Sequence, residues 1–191
     1  TDAMELGLNG TVALVTGARG NIGVATCAAL RREGVIVIAS DVGVDEALPG
    51  DDGCQWLSLD VTSAEDWARA IARIEAHHGR LDILVNNAGV APTDRIDQMP
   101  AEQFRRAFDI NVTGVFLGTQ AASALMARSG ALREGGAAIV NIASGAADKP
   151  AAFNACYCAT KAAVRMFTRA TAVGFSAPGY PIRVNSVHPG P

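Results

Sequence analysis

The stretch TVALVTGARGNIG, residues 11–23, decides the fold of this chain. It begins with β-branched and apolar residues that predict a strand over 11–15, passes through a glycine-rich turn, and enters a segment with helical spacing over 22–33. In that context Gly17 allows a tight turn, and Gly23 allows the helix to pack close to a sheet. Backbone N–H groups at such a helix start can bind a phosphate. We therefore assign the turn to binding a phosphorylated cofactor, through Gly17, Arg19, Gly20, Asn21, Ile22 and Gly23.

The rest of the chain alternates short apolar runs with longer stretches of helical spacing. Strands are predicted at 35–39, 81–85, 138–142 and 182–187, with a weaker one at 55–59. Helices are predicted at 64–78, 101–127 (with a break near Asp109) and 155–175. Continuous apolar strands between helices are typical of a parallel sheet that is covered on both faces. The pattern predicts one α/β domain over residues 1–191, with a Rossmann-like, doubly wound parallel β-sheet in a three-layer α/β/α arrangement.

The composition is that of a folded, mildly acidic protein. Of the 191 residues, 49% are hydrophobic and 18% are charged, and the formal net charge is -3. The chain can therefore bury a core, and it lacks the basic excess of nucleic-acid binders. No apolar run approaches the roughly 18 residues that span a bilayer, and residues 1–10 lack the basic and apolar regions of a signal peptide. These features predict a cytoplasmic protein that binds neither nucleic acid nor membrane.

The four cysteines do not have the spacing of a metal site. Cys27, Cys54, Cys156 and Cys158 include no CxxC pair, and a disulfide framework is not expected in a chain of this size with this core. They are predicted to be small buried side chains, and no metal is predicted.

A carboxylate at the end of the second predicted strand bears on the choice of cofactor. Asp41 lies 18 positions after Gly23 (41 − 23), where a carboxylate can accept hydrogen bonds from the adenosine ribose and repel a 2′-phosphate. Arg19 is a contrary signal, because an arginine in the turn could pair with that phosphate. No Arg or Lys follows Asp41 closely, so the sequence favours NAD over NADP.

A second group of polar residues has the chemistry of proton transfer. Tyr157 and Lys161 are four positions apart (161 − 157), so they share one helix face. A tyrosine phenol has an unperturbed pKa of about 10, and a neighbouring ammonium favours the phenolate that acid–base catalysis at neutral pH requires. Ser144 follows the predicted strand 138–142, where a hydroxyl can bind a substrate oxygen at the edge of the sheet. These three residues are therefore catalytic candidates.

In their order along the chain, the motifs resemble those of the short-chain dehydrogenase/reductase family, in its smaller, single-domain branch. The matching features are the glycine turn, Asp60-Val61, Asn86-Asn87-Ala88-Gly89, Asn111, Ser144, Tyr157 with Lys161, and Asn185 before Pro189-Gly190. The resemblance implies an NAD(P)-dependent alcohol dehydrogenase or carbonyl reductase that acts on CH–OH groups. Such an enzyme would interconvert a secondary alcohol and a ketone by hydride transfer, with NAD as cofactor and the alcohol or ketone as its small-molecule partner.

The resemblance also implies a role for each matching residue. Tyr157 would act as the general acid/base, Ser144 would orient the substrate oxygen, and Lys161 would tune Tyr157 and hold the nicotinamide ribose. Asn111 would hold a water for proton relay. The further cofactor-binding positions that it implies are Asp60, Val61, Asn87, Ala88, Gly89, Pro189 and Gly190, together with Tyr157 and Lys161.

Two departures from the family pattern leave alternatives open. Asn21 stands where the smaller branch usually has glycine, and the turn also matches the TGxxGxxG spacing of the extended branch, which includes sugar-nucleotide epimerases and dehydratases. The chain also ends at Pro191, short of the family's C-terminal segment. We expect a longer natural protein, and the alternative is a truncated, non-catalytic dinucleotide-binding member. Residues 86–89, Asn111 and residues 185–190 favour the smaller branch.

Two predicted helices bear on assembly. Residues 112–127 and 155–175 are rich in alanine and apolar on more than one side, which is typical of buried helices. In the family the matching helices pack across a dimer interface, often within a tetramer, so the resemblance implies a homo-oligomer, either a dimer or a homotetramer. The alternative is that they only cover the sheet.

The segment between Ser144 and Tyr157 bears on the substrate. Its small or apolar residues favour an uncharged, fairly hydrophobic alcohol or ketone. The candidates for lining the substrate pocket are Ala146, Ala147, Pro150, Phe153 and Asn154.

Overall fold

A six-stranded parallel sheet forms the centre of the computed structural model, which describes residues 6–44, 53–176 and 180–190. The strands are β1 (Val12–Thr16), β2 (Ile36–Asp41), β3 (Gln55–Ser58), β4 (Ile83–Asn86), β5 (Ala137–Ile142) and β6 (Ile182–Val187). They lie in the order β3-β2-β1-β4-β5-β6, with every neighbouring pair parallel. The predicted Rossmann-like, doubly wound sheet is confirmed. Residues 1–5, 45–52, 177–179 and 191 of the predicted domain lie outside the described residues.

Helices cover both faces of this sheet. They are α1 (Asn21–Arg32), α2 (Ala64–His78), α3 (Ala101–Phe108), α4 (Gly114–Gly130) and α5 (Ala155–Phe175). Helix α1 packs on one face, and α2, α4 and α5 pack on the other. Alternate residues of β1 enter the two cores, since Leu14 belongs to the core that contains Trp67 of α2 whereas Ala13 belongs to the core that contains Cys27 of α1. The predicted three-layer α/β/α arrangement is therefore confirmed.

Local sequence signals set the ends of α2. Ser63 precedes the helix, and its hydroxyl accepts a hydrogen bond from the backbone N–H of Asp66 at 3.1 Å, which satisfies a donor that the first turn leaves unpaired. Gly79 follows the helix with φ +67°, a left-handed conformation that glycine adopts without a steric penalty. The helix therefore begins and ends where the sequence predicts.

The predicted break near Asp109 is instead a π-helical turn, Asp109–Thr113, which joins α3 to α4 without interrupting the helix. The helical stretch runs over 101–130, beyond the predicted end at 127. By length and composition alone it could cross a membrane, in contrast to the expectation that no stretch approaches that length. Some of its apolar side chains, among them Leu125 and Met126, are buried in the core that α2 and the sheet share, whereas Phe116 is 43% exposed.

The strand order brings two loops side by side. Strand β1 leads to β2 on one side of the sheet and β4 leads to β5 on the other, so the chain reverses direction across the sheet between β1 and β4. The loop after β1 begins at Gly17, and the loop after β4 begins at Asn87. Ligands of doubly wound sheets bind in the crevice at this point.

Candidate active site

The glycine turn lies against the loop that follows β4. Gly17 has φ +62°, and a β-carbon on it would lie 2.7 Å from the Cα of Ala88 and 3.2 Å from the Nδ2 of Asn87. A β-carbon on Gly23 would lie 2.4 Å from the carbonyl oxygen of Gly17. Both glycines are therefore required by close contacts. Gly20 precedes α1, and no side chain among the described residues caps the helix start.

Polar contacts of Asn87 fix the same two loops together. Its Nδ2 donates to the carbonyl oxygens of Thr16 and Gly17, both at 2.9 Å. The backbone N–H groups of Asn87 and Ala88 both donate to the hydroxyl of Thr16 at 3.0 Å. The loop after β4 is thus part of the floor under the glycine turn.

Two adjoining cavities lie at the carboxyl ends of the strands. A cleft of about 880 Å³ follows the glycine turn, and its lining includes the predicted cofactor residues Gly17, Gly20, Asn21, Ile22, Asp41, Asp60, Val61, Asn87, Ala88 and Gly89. A smaller cavity of about 240 Å³ is lined by the predicted residues Ser144, Tyr157, Lys161, Pro189 and Gly190, among others. Ile22, Asn87, Gly89 and Val90 line both, so the two cavities form one crevice. Volumes of this order suit a small-molecule site.

Asp41 and Arg19 meet at one end of the large cleft. The Asp41 carboxylate accepts hydrogen bonds from the backbone N–H groups of Arg19 at 3.0 Å and of Val42 at 2.9 Å. The Arg19 guanidinium donates to the carbonyl oxygen of Val42 at 3.5 Å. Asp41 lines the cleft, whereas Arg19 and Gly23, which were also predicted to bind the cofactor, line neither cavity. Asp41 therefore holds the turn as well as facing the cleft.

Lys161 is the buried charge of the small cavity. It is only 5% exposed, and its Nζ donates to the carbonyl oxygen of Ile142, at the end of β5, at 2.7 Å. Burial lowers the pKa of Lys161 to about 8. Its Nζ lies 5.7 Å from the centre of the Tyr157 ring. The arrangement brings a fixed ammonium next to the phenol in the same cavity.

Ser144 is held at the rim of the small cavity. Its hydroxyl oxygen accepts a hydrogen bond from the backbone N–H of Ala146 at 3.1 Å, at the start of a short 3₁₀ turn. A ring nitrogen of His188, Nδ1, lies 3.2 Å from the Ser144 carbonyl oxygen. The other, Nε2, lies 2.9 Å from the hydroxyl of Ser186. The residues after β6 therefore support the loop that carries Ser144.

Asn111 lies behind the cavities rather than in their lining. It is 1% exposed in the π-helical turn, and its Oδ1 accepts a hydrogen bond from the backbone N–H of Val90 at 2.8 Å. Its Nδ2 donates to the Val90 carbonyl oxygen at 2.8 Å and to the Thr160 hydroxyl at 3.0 Å. Both amide protons are used within the protein, so only the oxygen atoms of Asn111 remain to hold a relay water.

Some residues that contact the site were missed, and the predicted substrate-lining residues lie outside the two cavities. Val90 and Thr160 contact Asn111 but carry no motif of their own, although Thr160 stands within the Tyr157–Lys161 spacing. None of the five predicted lining residues between Ser144 and Tyr157 lines either cavity. Phe153, one of these five, is 57% exposed and has φ +63°. The walls come instead from the loop after β4, which supplies Val90 and Ala91.

The residues predicted to have no role in chemistry lie apart from this crevice. Cys27, Cys54 and Cys156 are buried, and Cys158 is half-buried. Within the described part of the chain, no three His, Cys, Asp or Glu side chains are grouped so that they could hold a metal ion.

Comparison with known proteins agrees with these motifs. A family model described as short chain dehydrogenase matches residues 11–191. A cyclopentanol dehydrogenase of Comamonas testosteroni is 41% identical to this chain, over 96% of this chain and 73% of the relative. A 3-beta-hydroxysteroid dehydrogenase of the same organism is 37% identical, over 95% and 71%.

Solved structures show the same likeness. An NAD+-bound xylitol dehydrogenase matches with a TM-score of 0.84 and 34% identity, covering 96% of this chain and 71% of that one. A ligand-free aldohexose dehydrogenase of Thermoplasma acidophilum matches with a TM-score of 0.85 and 31% identity, over 96% and 68%. This chain is shorter than each of these four proteins.

Proposed function

The chain belongs to the short-chain dehydrogenase family, and on that basis we propose that it is an NAD(H)-dependent oxidoreductase that interconverts a secondary alcohol and a ketone. The observation that carries the proposal is the meeting of Ser144, Tyr157 and Lys161 in one cavity that adjoins the cleft of the glycine turn. A proton-transfer group beside a dinucleotide-sized cleft is what oxidation of an alcohol requires.

The cleft fits a dinucleotide by its backbone as well as by its side chains. A β-carbon at Gly17 would collide with the loop after β4. Because glycine has no side chain, the turn and that loop can stay in close contact at this part of the cleft. The start of α1 offers backbone N–H groups and a positive dipole end to a pyrophosphate. Asp60 and Val61 would contact the adenine. A bound nicotinamide would supply the hydride chemistry, as acceptor from a carbinol carbon or donor to a carbonyl carbon.

Asp41 supports NAD over NADP. Its carboxylate faces the cleft at the end of β2, where it can accept hydrogen bonds from ribose hydroxyls and repel a 2′-phosphate. Arg19 points its guanidinium at the carbonyl oxygen of Val42 and does not line the cleft. Of these two charged side chains, only the Asp41 carboxylate therefore lines the cleft, which supports NAD.

The residues of the small cavity divide the proton chemistry between them. In alcohol oxidation, the Tyr157 phenolate takes the hydroxyl proton of the substrate, and in ketone reduction the phenol returns it. The Ser144 oxygen already accepts from Ala146 N–H, which leaves its hydrogen to donate to the substrate oxygen. Lys161 places its ammonium 5.7 Å from the centre of the Tyr157 ring, and it would also hold the nicotinamide ribose. Asn111 would hold the relay water behind them.

The cavity and the relatives both support an uncharged alicyclic alcohol as substrate. The apolar side chains of Val90, Ala91, Ile142 and Ala143 line the small cavity. The charged group in its lining, the Lys161 ammonium, already donates to the Ile142 carbonyl oxygen. Relatives named for cyclopentanol and for a hydroxysteroid both act on ring alcohols. We therefore place secondary ring alcohols first among the substrates to test.

We also propose a homo-oligomer, a dimer or tetramer, that forms through α4 and α5. These helices expose large apolar side chains, with Phe116 at 43%, Met166 at 61% and Val173 at 74% exposure. Met166 and Val173 are seven positions apart on α5 and so share one face. Light scattering tests the assembly, and a monomer mass at working concentration contradicts it.

A steady-state assay tests the proposed reaction, with cyclopentanol, a 3-hydroxysteroid and xylitol as the panel. We expect Tyr157→Phe to lower kcat by about a hundredfold or more while NAD still binds. Tyr180→Phe is the matched control, because the chain's other tyrosine is exposed and stacks on Phe175 with ring centres 5.3 Å apart. Retained turnover in Tyr157→Phe contradicts the assignment.

The same assay separates the alternatives. NAD binding by the parent without turnover of any alcohol indicates a non-catalytic dinucleotide-binding member. Turnover of a sugar nucleotide by a protein that retains its NAD indicates an epimerase or dehydratase of the extended branch.

A further inference from the structure

Thr160 lies between Tyr157 and Lys161 on α5, and the proposed reaction does not yet use it. Its side chain is fully buried. Its hydroxyl donates to the backbone carbonyl of Tyr157 at 2.8 Å and accepts from the Nδ2 of Asn111 at 3.0 Å. The hydroxyl therefore joins Asn111 to the helical turn that carries Tyr157.

The other contacts of Asn111 make this link specific. Val90 exchanges two backbone hydrogen bonds with the Asn111 carboxamide, one in each direction and both at 2.8 Å. Thr160 receives the remaining amide proton. Three segments meet at this carboxamide: the π-helical turn, the loop after β4 that lines both cavities, and α5.

The carboxamide also lies close to the reacting groups. The position of a β-carbon on Gly89 lies 3.1 Å from the Oδ1 of Asn111 and 3.5 Å from the Nζ of Lys161. Both side chains therefore adjoin the position that a side chain at residue 89 would occupy. A rotation of the Asn111 carboxamide therefore changes the surroundings of the Lys161 ammonium and of Val90 in the cavity wall.

We propose that Thr160 is a positioning residue of this site, whose hydroxyl fixes the Asn111 carboxamide in register with the turn of α5 that carries Tyr157 and Lys161. The proposal rests on the proposed function and adds a residue to it. A valine of the same shape at this position can neither donate nor accept, and it leaves a buried amide proton of Asn111 unpaired. A serine retains both hydrogen bonds.

The same helix provides a matched control. Thr168 is also buried, and its hydroxyl accepts from the Nδ2 of Asn141 at 2.9 Å and donates to the carbonyl oxygen of Val164 at 2.7 Å. Thr168 and Asn141 line neither cavity. Thr168→Val therefore removes an equivalent buried hydrogen-bond pair from α5 without touching the site.

The experiment compares Thr160→Val, Thr160→Ser and Thr168→Val in three measurements: kcat and KM with cyclopentanol, NAD affinity, and solvent exchange of the Asn111 side-chain amide by NMR. We expect Thr160→Val to lower kcat by about ten- to a hundredfold, with KM and NAD affinity close to those of the parent and with faster exchange of the Asn111 amide. We expect Thr160→Ser to restore kcat and slow exchange. Thr168→Val should keep the parental kcat and Asn111 exchange.

Several outcomes overturn the proposal. They are a Thr160→Val enzyme with parental kcat, a Thr160→Ser enzyme as slow as the valine variant, and an equal loss of kcat in Thr168→Val. Unchanged exchange of the Asn111 amide in Thr160→Val also overturns it, and this readout needs no turnover. If the parent oxidises no alcohol, yet Thr160→Val still shows faster exchange of the Asn111 amide than the parent, the proposed function has failed and the positioning role of Thr160 has not.

Discussion

Gly17 and Ala88 approach so closely that a β-carbon on Gly17 would lie 2.7 Å from the Cα of Ala88. Real side chains do not occupy such a distance from a backbone atom, so the loops after β1 and β4 fit together only while residue 17 is glycine. The contact is between backbones, which cannot yield as a flexible side chain can. The shape of the cleft thus depends on this single missing methyl group.

Gly17→Ala is therefore expected to weaken NAD binding by at least about tenfold, because the turn must move away from the loop after β4. Titration of the purified variant with NAD measures the effect. Gly10→Ala is the matched control, since Gly10 has a similar φ of +73° but nothing within 4 Å of its β-carbon position. That variant carries only the backbone strain of about 1 kcal/mol. Equal NAD affinity in the two variants contradicts the collision argument.

The Asp41 charge is expected to set the preference between NAD and NADP. Asp41→Asn keeps the shape of the side chain and an oxygen that accepts from the turn, but it removes the negative charge. We expect the ratio of NADP to NAD dissociation constants to fall by about tenfold, which corresponds to about 1.4 kcal/mol. Arg19→Ala should leave NAD binding unchanged. An unaltered ratio in Asp41→Asn means that the carboxylate only holds Arg19 and Val42 in the turn.

Lys161 is expected to make both stability and activity depend on pH. Burial lowers its pKa from 10.5 to about 8, so the folded protein binds fewer protons than the unfolded chain between these values. The buried charge then destabilises the fold below pH 8 by about 3 kcal/mol, and this penalty fades as the pH rises towards 10.5. The proposed reaction should also slow above about pH 8, as the ammonium beside Tyr157 is lost.

Lys161→Met tests the stability effect by urea unfolding at fixed protein concentration. The variant loses the buried charge and also the hydrogen bond to Ile142, which contributes about 1 kcal/mol. We expect it to be more stable than the parent by about 2 kcal/mol at pH 7 and inactive, with a stability gain that shrinks between pH 8 and 10.5. Lys149, the chain's other lysine, is exposed, and Lys149→Met should show no such pH dependence. A gain that grows with pH contradicts the assignment.

The sequence predicted the elements well where local signals decide them. Apolar runs placed the strands within about two residues, and Ser63 and Gly79 marked the ends of α2. Local signals could not reveal the π-helical turn, since residues 109–113 contain neither proline nor glycine. The turn holds Asn111, whose partners Val90 and Thr160 lie 21 and 49 positions away.

The same limit of local sequence signals applies to the prediction of the candidate site. The motifs named many of the residues that line the two cavities, because most of these follow a strand or lie on one helix face, although Arg19, Gly23 and Asn111 line neither. The five residues predicted to line the substrate pocket are near Tyr157 in the chain, but they do not line either cavity. In the fold, the loop after β4 supplies that wall through Val90 and Ala91. A side chain's partners across the sheet are set by topology, which local spacing does not encode.

The ion pair between Arg80 and Asp82, just before β4, offers a test of stability at residues that do not line the site. Asp82 is fully buried, accepts a hydrogen bond from the backbone N–H of Val12 at 2.9 Å, and pairs with Arg80 through two hydrogen bonds of 2.8 and 2.7 Å. This pairing raises the pKa of Arg80. Asp82→Asn removes the buried negative charge that the Val12 N–H and the Arg80 guanidinium both contact. Breaking such a pair costs about 3 kcal/mol of folding free energy.

The chain contains a matched pair on its surface. Arg95 and Asp97 have the same spacing of two residues and the same two-bond geometry, at 3.0 and 2.9 Å, but both side chains are more than half exposed. Water screens an exposed pair, so Asp97→Asn should leave the unfolding midpoint in urea unchanged while Asp82→Asn lowers it. Both variants should keep the parental kcat, because neither pair lines the cavities. Equal destabilisation by the two substitutions would show that burial does not decide the strength of these pairs.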